Sequence, residues 1–189
     1  RCGSRKKARI QTVSAASETR NFSLLVNPYT CGAAHYYQTG AVTQTFSALS
    51  LPSGWSIEDN LGTGQVWTFT DTMGFTGSDG GIAIVNSDLY WRTYKTGGQD
   101  TSLLTPIYDF SNQANVYLQF DTYYYYYPLN KSEVAQVDLR VNNGAWTQLW
   151  RRTSASYEDN VSLDLSSQAG GQSAVQVRFH YYNASNEWY

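Results

Sequence analysis

The sequence predicts an all-β fold, an antiparallel β-sandwich of jelly-roll type, on three observations. No window longer than ten residues keeps its apolar residues at helical spacing. Period-two runs recur instead, numerous and evenly spaced, which is the pattern of two packed sheets. Between the runs stand Gly, Asn, Asp, Ser and Pro, the residues of tight turns.

The elements follow in order. ARIQTVSA (8–15) and NFSLLV (21–26) read as two strands of a small N-terminal β segment, or the tail of a preceding domain, over residues 1–40. The sandwich is expected over 41–189. Its strands are VTQTF (42–46), WSIED (55–59), QVWTFT (65–70), GIAIVN (81–86), LLTPIYDF (103–110), NVYLQFDTYYYYY (115–127), EVAQVDLRV (133–141), AWTQLW (145–150), VSLDL (161–165) and SAVQVRFHYYN (173–183). No helix is expected. Asn-Gly within NNGAW (142–146), between two strand patterns, signals a hairpin.

Alternation assigns faces. In the longest strand Val116, Leu118, Phe120, Thr122, Tyr124 and Tyr126 share one side. Tyr117, Gln119, Asp121, Tyr123, Tyr125 and Tyr127 share the other, whose Gln and Asp prefer water. The run of five tyrosines at 123–127 is thereby divided, two rings continuing the core and three facing out. The same count turns Ala135, Val137, Leu139 and Val141 inward, and with them Val175, Val177, Phe179 and Tyr181. Gln176, Arg178, His180 and Tyr182 turn outward.

At 189 residues the chain suits one domain with a short appendage, and a 41% hydrophobic content with 15% charged residues allows a core. The 16 Tyr and 6 Trp suit a binding surface, although all-β proteins favour aromatics in any case. A net charge of −2 argues against a nucleic-acid partner. The basic run RCGSRKKAR reads as a solvated or processed terminus, and no apolar stretch is long enough for membrane insertion. Abundant Ser, Thr, Gly and Asn with two cysteines point to a secreted or cell-surface protein. A Cys2–Cys31 disulfide would close a loop of about 30 residues and stabilise by about 3–4 kcal/mol.

Little in the sequence suggests catalysis. Neither Gly-x-Ser-x-Gly nor His-Glu-x-x-His occurs. Glu58 and Asp59, like Glu158 and Asp159, are adjacent on strands and point oppositely, so neither pair can act as acid and base together. His35 and His180 are the only histidines, too few for a zinc site. The outward aromatic face is the candidate for binding. Tyr117, Tyr123, Tyr125, Tyr127, Arg178, His180 and Tyr182 would form one platform for a sugar or peptide if the two long strands are neighbours. The alternative is that the N-terminal segment or a parent domain covers this face.

Four stretches resemble one family. LPSGWSIEDNLGTGQVWTFTD (51–71), GGIAIVNSDLYW (80–91), DTSLLTPIYDFS (100–111) and AVQVRFHYYNA (174–184) match, in order and spacing, the motifs of the bacterial cleaved-adhesin or choice-of-anchor J domains, relatives of MAM-type jelly rolls. The resemblance implies a non-catalytic module appended to secreted peptidases, with structural calcium in several members. Asn86, Asp88 and Asp100 lie in the matching loop-flanked elements and are the implied ligands, although Asx residues also simply form turns. The family's closing strand is not found after Trp188-Tyr189, so the domain is expected to lack its last strand. The resulting expectation is an accessory or adhesin domain. Its partners would be a parent catalytic domain and an extracellular protein or glycan. A structural module for secretion or maturation, with no ligand of its own, is the alternative. A jelly-roll carbohydrate-active enzyme is the third.

Overall fold

The computed structural model describes residues 42–71, 81–94, 98–126 and 133–183, without the side chains of residues 88, 91, 93 and 94. The N-terminal segment, Cys2–Cys31 and Tyr127 lie outside the described residues. Gln44–Tyr189 form one compact unit. Nine strands are described within it: β1 Ser56–Asp59, β2 Thr68–Thr70, β3 Ile82–Ile84, β4 Gln99–Leu104, β5 Tyr117–Tyr124, β6 Val134–Val141, β7 Thr147–Arg152, β8 Tyr157–Asp164 and β9 Val175–Asn183. All pairings among them are antiparallel.

Five strands form one sheet in the order β1-β4-β9-β6-β7, while β2 pairs with β3 and β5 pairs with β8. The β5–β8 ribbon lies over the large sheet, and the core sits between them. Val116, Val137, Leu139, Leu165, Ala169, Val175 and Val177 are its buried centre. Phe120 of β5 meets Trp150 of β7 and Phe179 of β9 edge-on, with centroids 5.9 and 5.4 Å away. Such contacts add about 0.5–1.5 kcal/mol each beyond the area they bury. The all-β antiparallel sandwich expected from the sequence is therefore the fold found.

The face assignment holds along the long strand. Val116 and Tyr124 are buried, at 7% and 4% exposure, while Tyr123 and Tyr125 are exposed at 44% and 53%. Asn142 and Asn143 both take positive φ, 51° and 56°, and the Gly144 amide donates to the Val141 carbonyl. This is the two-residue turn whose twist suits a hairpin. Its central pair is Asn-Asn, one residue earlier than the Asn-Gly signal implies.

Three expectations are corrected. VTQTF is not a strand: Phe46 has φ 55°, and its ring packs 5.5 Å from Trp55 and 5.7 Å from Phe69. Ring packing against the β2 side overrides its strand propensity. Two helices also form, α1 at Ser87–Tyr94 and α2 at Ser166–Ala169. Asn86 starts α1 by accepting the Leu89 amide at 2.9 Å, the N-cap role for which Asn is suited. Both helices are too short to show a helical period. Finally, the strand read as LLTPIYDF begins earlier, at Gln99, and ends before Thr105-Pro106, with Tyr108 making only an isolated bridge to Val175.

Candidate functional site

The register decides which side chains share a surface. Among the described strands β5 pairs with β8 alone, whereas β9 lies between β4 and β6. Phe120 and Phe179 face each other across the core, so the outward sides of β5 and β9 look in opposite directions. The single platform expected from the sequence does not form. Tyr123 and Tyr125, with half-buried Tyr117, belong to the outer face of the ribbon. Arg178, His180 and Tyr182 belong to the outer face of the five-stranded sheet. The condition that the two long strands be neighbours fails because β4 and β6 take both edges of β9.

The ribbon's outer face is aromatic and acidic. Tyr123 lies opposite Glu158, Asp121 opposite Asn160, and Gln119 opposite Ser162. Asn160 donates to Asp121 at 2.8 Å and Gln119 to Ser162 at 3.2 Å.

The outer face of the large sheet is a connected polar layer. Direct pairing sets Asp138 beside Arg178, Gln136 beside His180 and Arg140 beside Gln176. Arg178 donates through Nε to Asp138 Oδ2 at 2.8 Å, and Gln136 donates to Asp138 Oδ1 at 2.6 Å. Both carboxylate oxygens of this buried aspartate are thus engaged, as a charge taken out of water requires. Arg140 donates to the side-chain oxygen of Gln176, whose own amide donates to the Thr105 carbonyl. Trp146, just before β7, braces both arginines: their guanidinium carbons lie 4.5 Å (Arg140) and 4.7 Å (Arg178) from its ring centroid. That is cation–π range. Asp138, Arg140, Trp146 and Gln176 were not foreseen as a group. The outward parity of EVAQVDLRV, which places Gln136, Asp138 and Arg140 together, was the available signal.

On the β4 side of the same face, His180 Nε2 lies 2.8 Å from Asp100 Oδ1, which also accepts from the Asn60 side chain at 2.7 Å. Ser102 is directly across from His180. Serine, histidine and aspartate therefore meet on neighbouring strands, the residue set of a nucleophilic triad. The geometry is not that of one. Ser102 Oγ has no hydrogen-bond partner, and Ser102 is 0% exposed. A working nucleophile needs a bond to its base and a path for substrate.

A second polar cluster is buried at the inner side of the sheet. Tyr181 donates to the Glu133 carboxylate, and Tyr124 donates to the Glu133 carbonyl at 3.3 Å. Burial first, then the Glu133 charge, hold the Tyr181 phenol well above its ordinary range. Tyr124 is raised by the same two causes, in the same order, with Tyr126 adding to them. Inward parity placed both tyrosines here, and Glu133, 5% exposed, has the same parity as Ala135 and Val137 although a buried carboxylate was not singled out.

Of the expected calcium ligands, Asn86 caps α1 and Asp100 is bonded through Oδ1 to His180 and Asn60. The side chain of Asp88 lies outside the described ones. Among the described residues no group of three or more His, Cys, Asp or Glu converges.

No family model matches the chain. No curated protein matches it either. Among solved structures it is similar to the K1 cleaved adhesin domain of Lys-gingipain from Porphyromonas gingivalis W83, at 20% identity and a TM-score of 0.54, over 75% of this chain and 93% of that one. At that identity the likeness is one of fold, and it agrees with the β-sandwich architecture of this chain.

Proposed function

We propose that the chain is a non-catalytic accessory domain of a secreted bacterial protein, a peptidase, and that it holds its parent against a polymeric or cell-surface protein or glycan. The observation that supports this most is the state of Ser102. It shares a face with His180 and Asp100 but is sealed from solvent and unbonded to the imidazole, so the residue set best suited to hydrolysis among those described is not arranged for it. What the sandwich offers instead is two broad outward faces of different chemistry. The fold likeness to an adhesin domain supports the same reading.

The test is to present the purified chain to arrays of extracellular proteins and glycans and to assay the same samples for turnover. Saturable binding without hydrolysis is the expected result. Turnover of any glycan or peptide, lost on His180→Ala, overturns it. So does a chain that binds nothing while its parent keeps full activity without it.

Structural calcium belongs to the same proposal. Asp100 Oδ1 takes both side-chain bonds, which leaves Oδ2 for an ion. A melting midpoint that falls when a chelator is added is expected, and an unchanged midpoint rejects the ion.

A further inference from the structure

The outer face of the five-stranded sheet carries its charge unevenly. The single negative charge of Asp138 is paired with Arg178, so it does not also balance Arg140. The partners of Arg140 are the neutral Gln176 and the Trp146 ring, and no carboxylate pairs with it among the described residues. Arg151 of β7 is exposed and stands opposite Gln136, so it belongs to the same face. A shift in register between Val137 and Asp138 makes this possible. Gln148 and Arg151 are three residues apart and would face oppositely in a regular strand. The bulge sets both against outward residues of β6, Asp138 and Gln136, and lets Leu149 and Trp150 both reach the core. The β6–β7 half of the face therefore presents two uncompensated guanidinium groups on a chain whose net charge is −2. Arg140 and Gln136 are four residues apart on β6, which places the two cationic positions about 13 Å apart along the strand. Between them lies a row of amides and the bonded Arg178–Asp138 pair.

We infer that this half of the sheet, centred on Arg140, Trp146 and Arg151, is a docking surface for an acidic polysaccharide, a glycan bearing carboxylates at intervals along its length. Arg140 presents a planar fork matched to a carboxylate, and its stacking on Trp146 holds the fork in place before the ligand arrives. Gln148, exposed beside Asp138, supplies a donor and an acceptor of the kind that ring hydroxyls require. Two separated cations select a ligand with repeated charge over a single anion. A protein partner is disfavoured because the one aromatic ring of this half, Trp146, is already engaged by Arg140 and Arg178, and no exposed large apolar side chain stands beside it among the described residues to build an interface core. Among the described residues the exposed large apolar ones, such as Leu61, Leu89, Ile107, Tyr123 and Tyr125, all lie off the outward rows of β4, β6, β7 and β9. The inference rests on the accessory-domain reading and gives it a ligand class.

The experiment titrates the whole chain with polygalacturonate, neutral dextran and polyglutamate, following tryptophan fluorescence and heat of binding. Polygalacturonate should bind and dextran should not, with affinity falling as salt is raised. Arg140→Gln should weaken binding at least tenfold and Arg151→Gln by a smaller factor, while both variants still unfold in one cooperative transition. Tyr123→Ala, on the opposite face, should leave binding as it was. The inference is overturned if polygalacturonate does not bind, if Arg140→Gln binds it as well as the parent sequence, or if polyglutamate binds equally well. A chain that passes over polygalacturonate but holds another extracellular polymer refutes this ligand class alone. A chain that binds nothing refutes the accessory-domain reading with it.

Discussion

The two outward faces of the sandwich are built from the same alternating strands and differ in how their side chains are held. On the β5–β8 ribbon, Tyr123 and Tyr125 are exposed, and the described polar contacts join single pairs such as Asn160 with Asp121. On the five-stranded sheet, Asp138 joins Gln136 and Arg178, and Trp146 joins Arg178 and Arg140. The contrast follows from position in the sheet. The outward residues of β9 have neighbours on both flanks, so a charged side chain there finds partners and becomes half-buried. Among the described strands those of β5 have a neighbour on one flank only. A surface made of isolated pairs adapts, whereas one made of a network is fixed in advance, which favours ligands with spaced polar groups.

The largest effect should come from removing what keeps the faces apart. Phe120→Ala takes away the ring that meets both Trp150 and Phe179, and should lower stability by about 3–4 kcal/mol in urea unfolding. Asp138→Ala should rank next. Asp138 is 1% exposed and Arg178 19%, so the loss strands a mostly buried guanidinium, at about 2–3 kcal/mol. A smaller loss, about 1 kcal/mol at neutral pH, is expected for Tyr181→Phe, which removes the hydroxyl from Glu133. Tyr123→Ala should stay within about 0.5 kcal/mol, as expected of an exposed site. If Asp138→Ala proved as mild as Tyr123→Ala, the distinction between a networked and a paired face would be broken.

The pH profile sharpens the same point. Tyr181 and Tyr124 have folded-state pKa values raised above the ordinary 10.0. Their contribution is complete below that value and declines as pH rises past it, because the unfolded phenols ionise first. Stability should therefore fall above pH 10, and Tyr181→Phe should fall less steeply over that range than the parent sequence.

Much of the fold was legible because alternation is a local property. Val116 to Tyr124 and Val175 to Tyr181 show their inward faces in sequence, and the Asn-rich turn announces the hairpin. What alternation does not carry is which strand lies beside which. Tyr123 and Arg178 were correctly turned outward yet placed on one surface, since parity is silent on the sheet to which a strand belongs. The bulge in β7 was hidden because Leu149 and Trp150 read as a break in period rather than as two core residues. The two short helices lacked the length to show a repeat. Asp138 has outward parity, and only its partner Arg178, distant in sequence, explains its burial; Glu133 has inward parity, but its partner Tyr181 lies 48 residues away and could not be read from it.

The position of β9 bears on how the chain reaches this state. It is wedged between β4 and β6, bonding Asp100 to Tyr182 in register on one flank and Asp138 to Arg178 on the other. Until it inserts, the β1–β4 pair and the β6–β7 hairpin share no hydrogen-bonded edge among the described strands. Their union waits on loop closures spanning some eighty residues, the kind of non-local step that slows folding to the millisecond-to-second range. A ribosome delivering this chain would release an open half-sheet first, and the native topology would snap shut only after Asn183 had emerged.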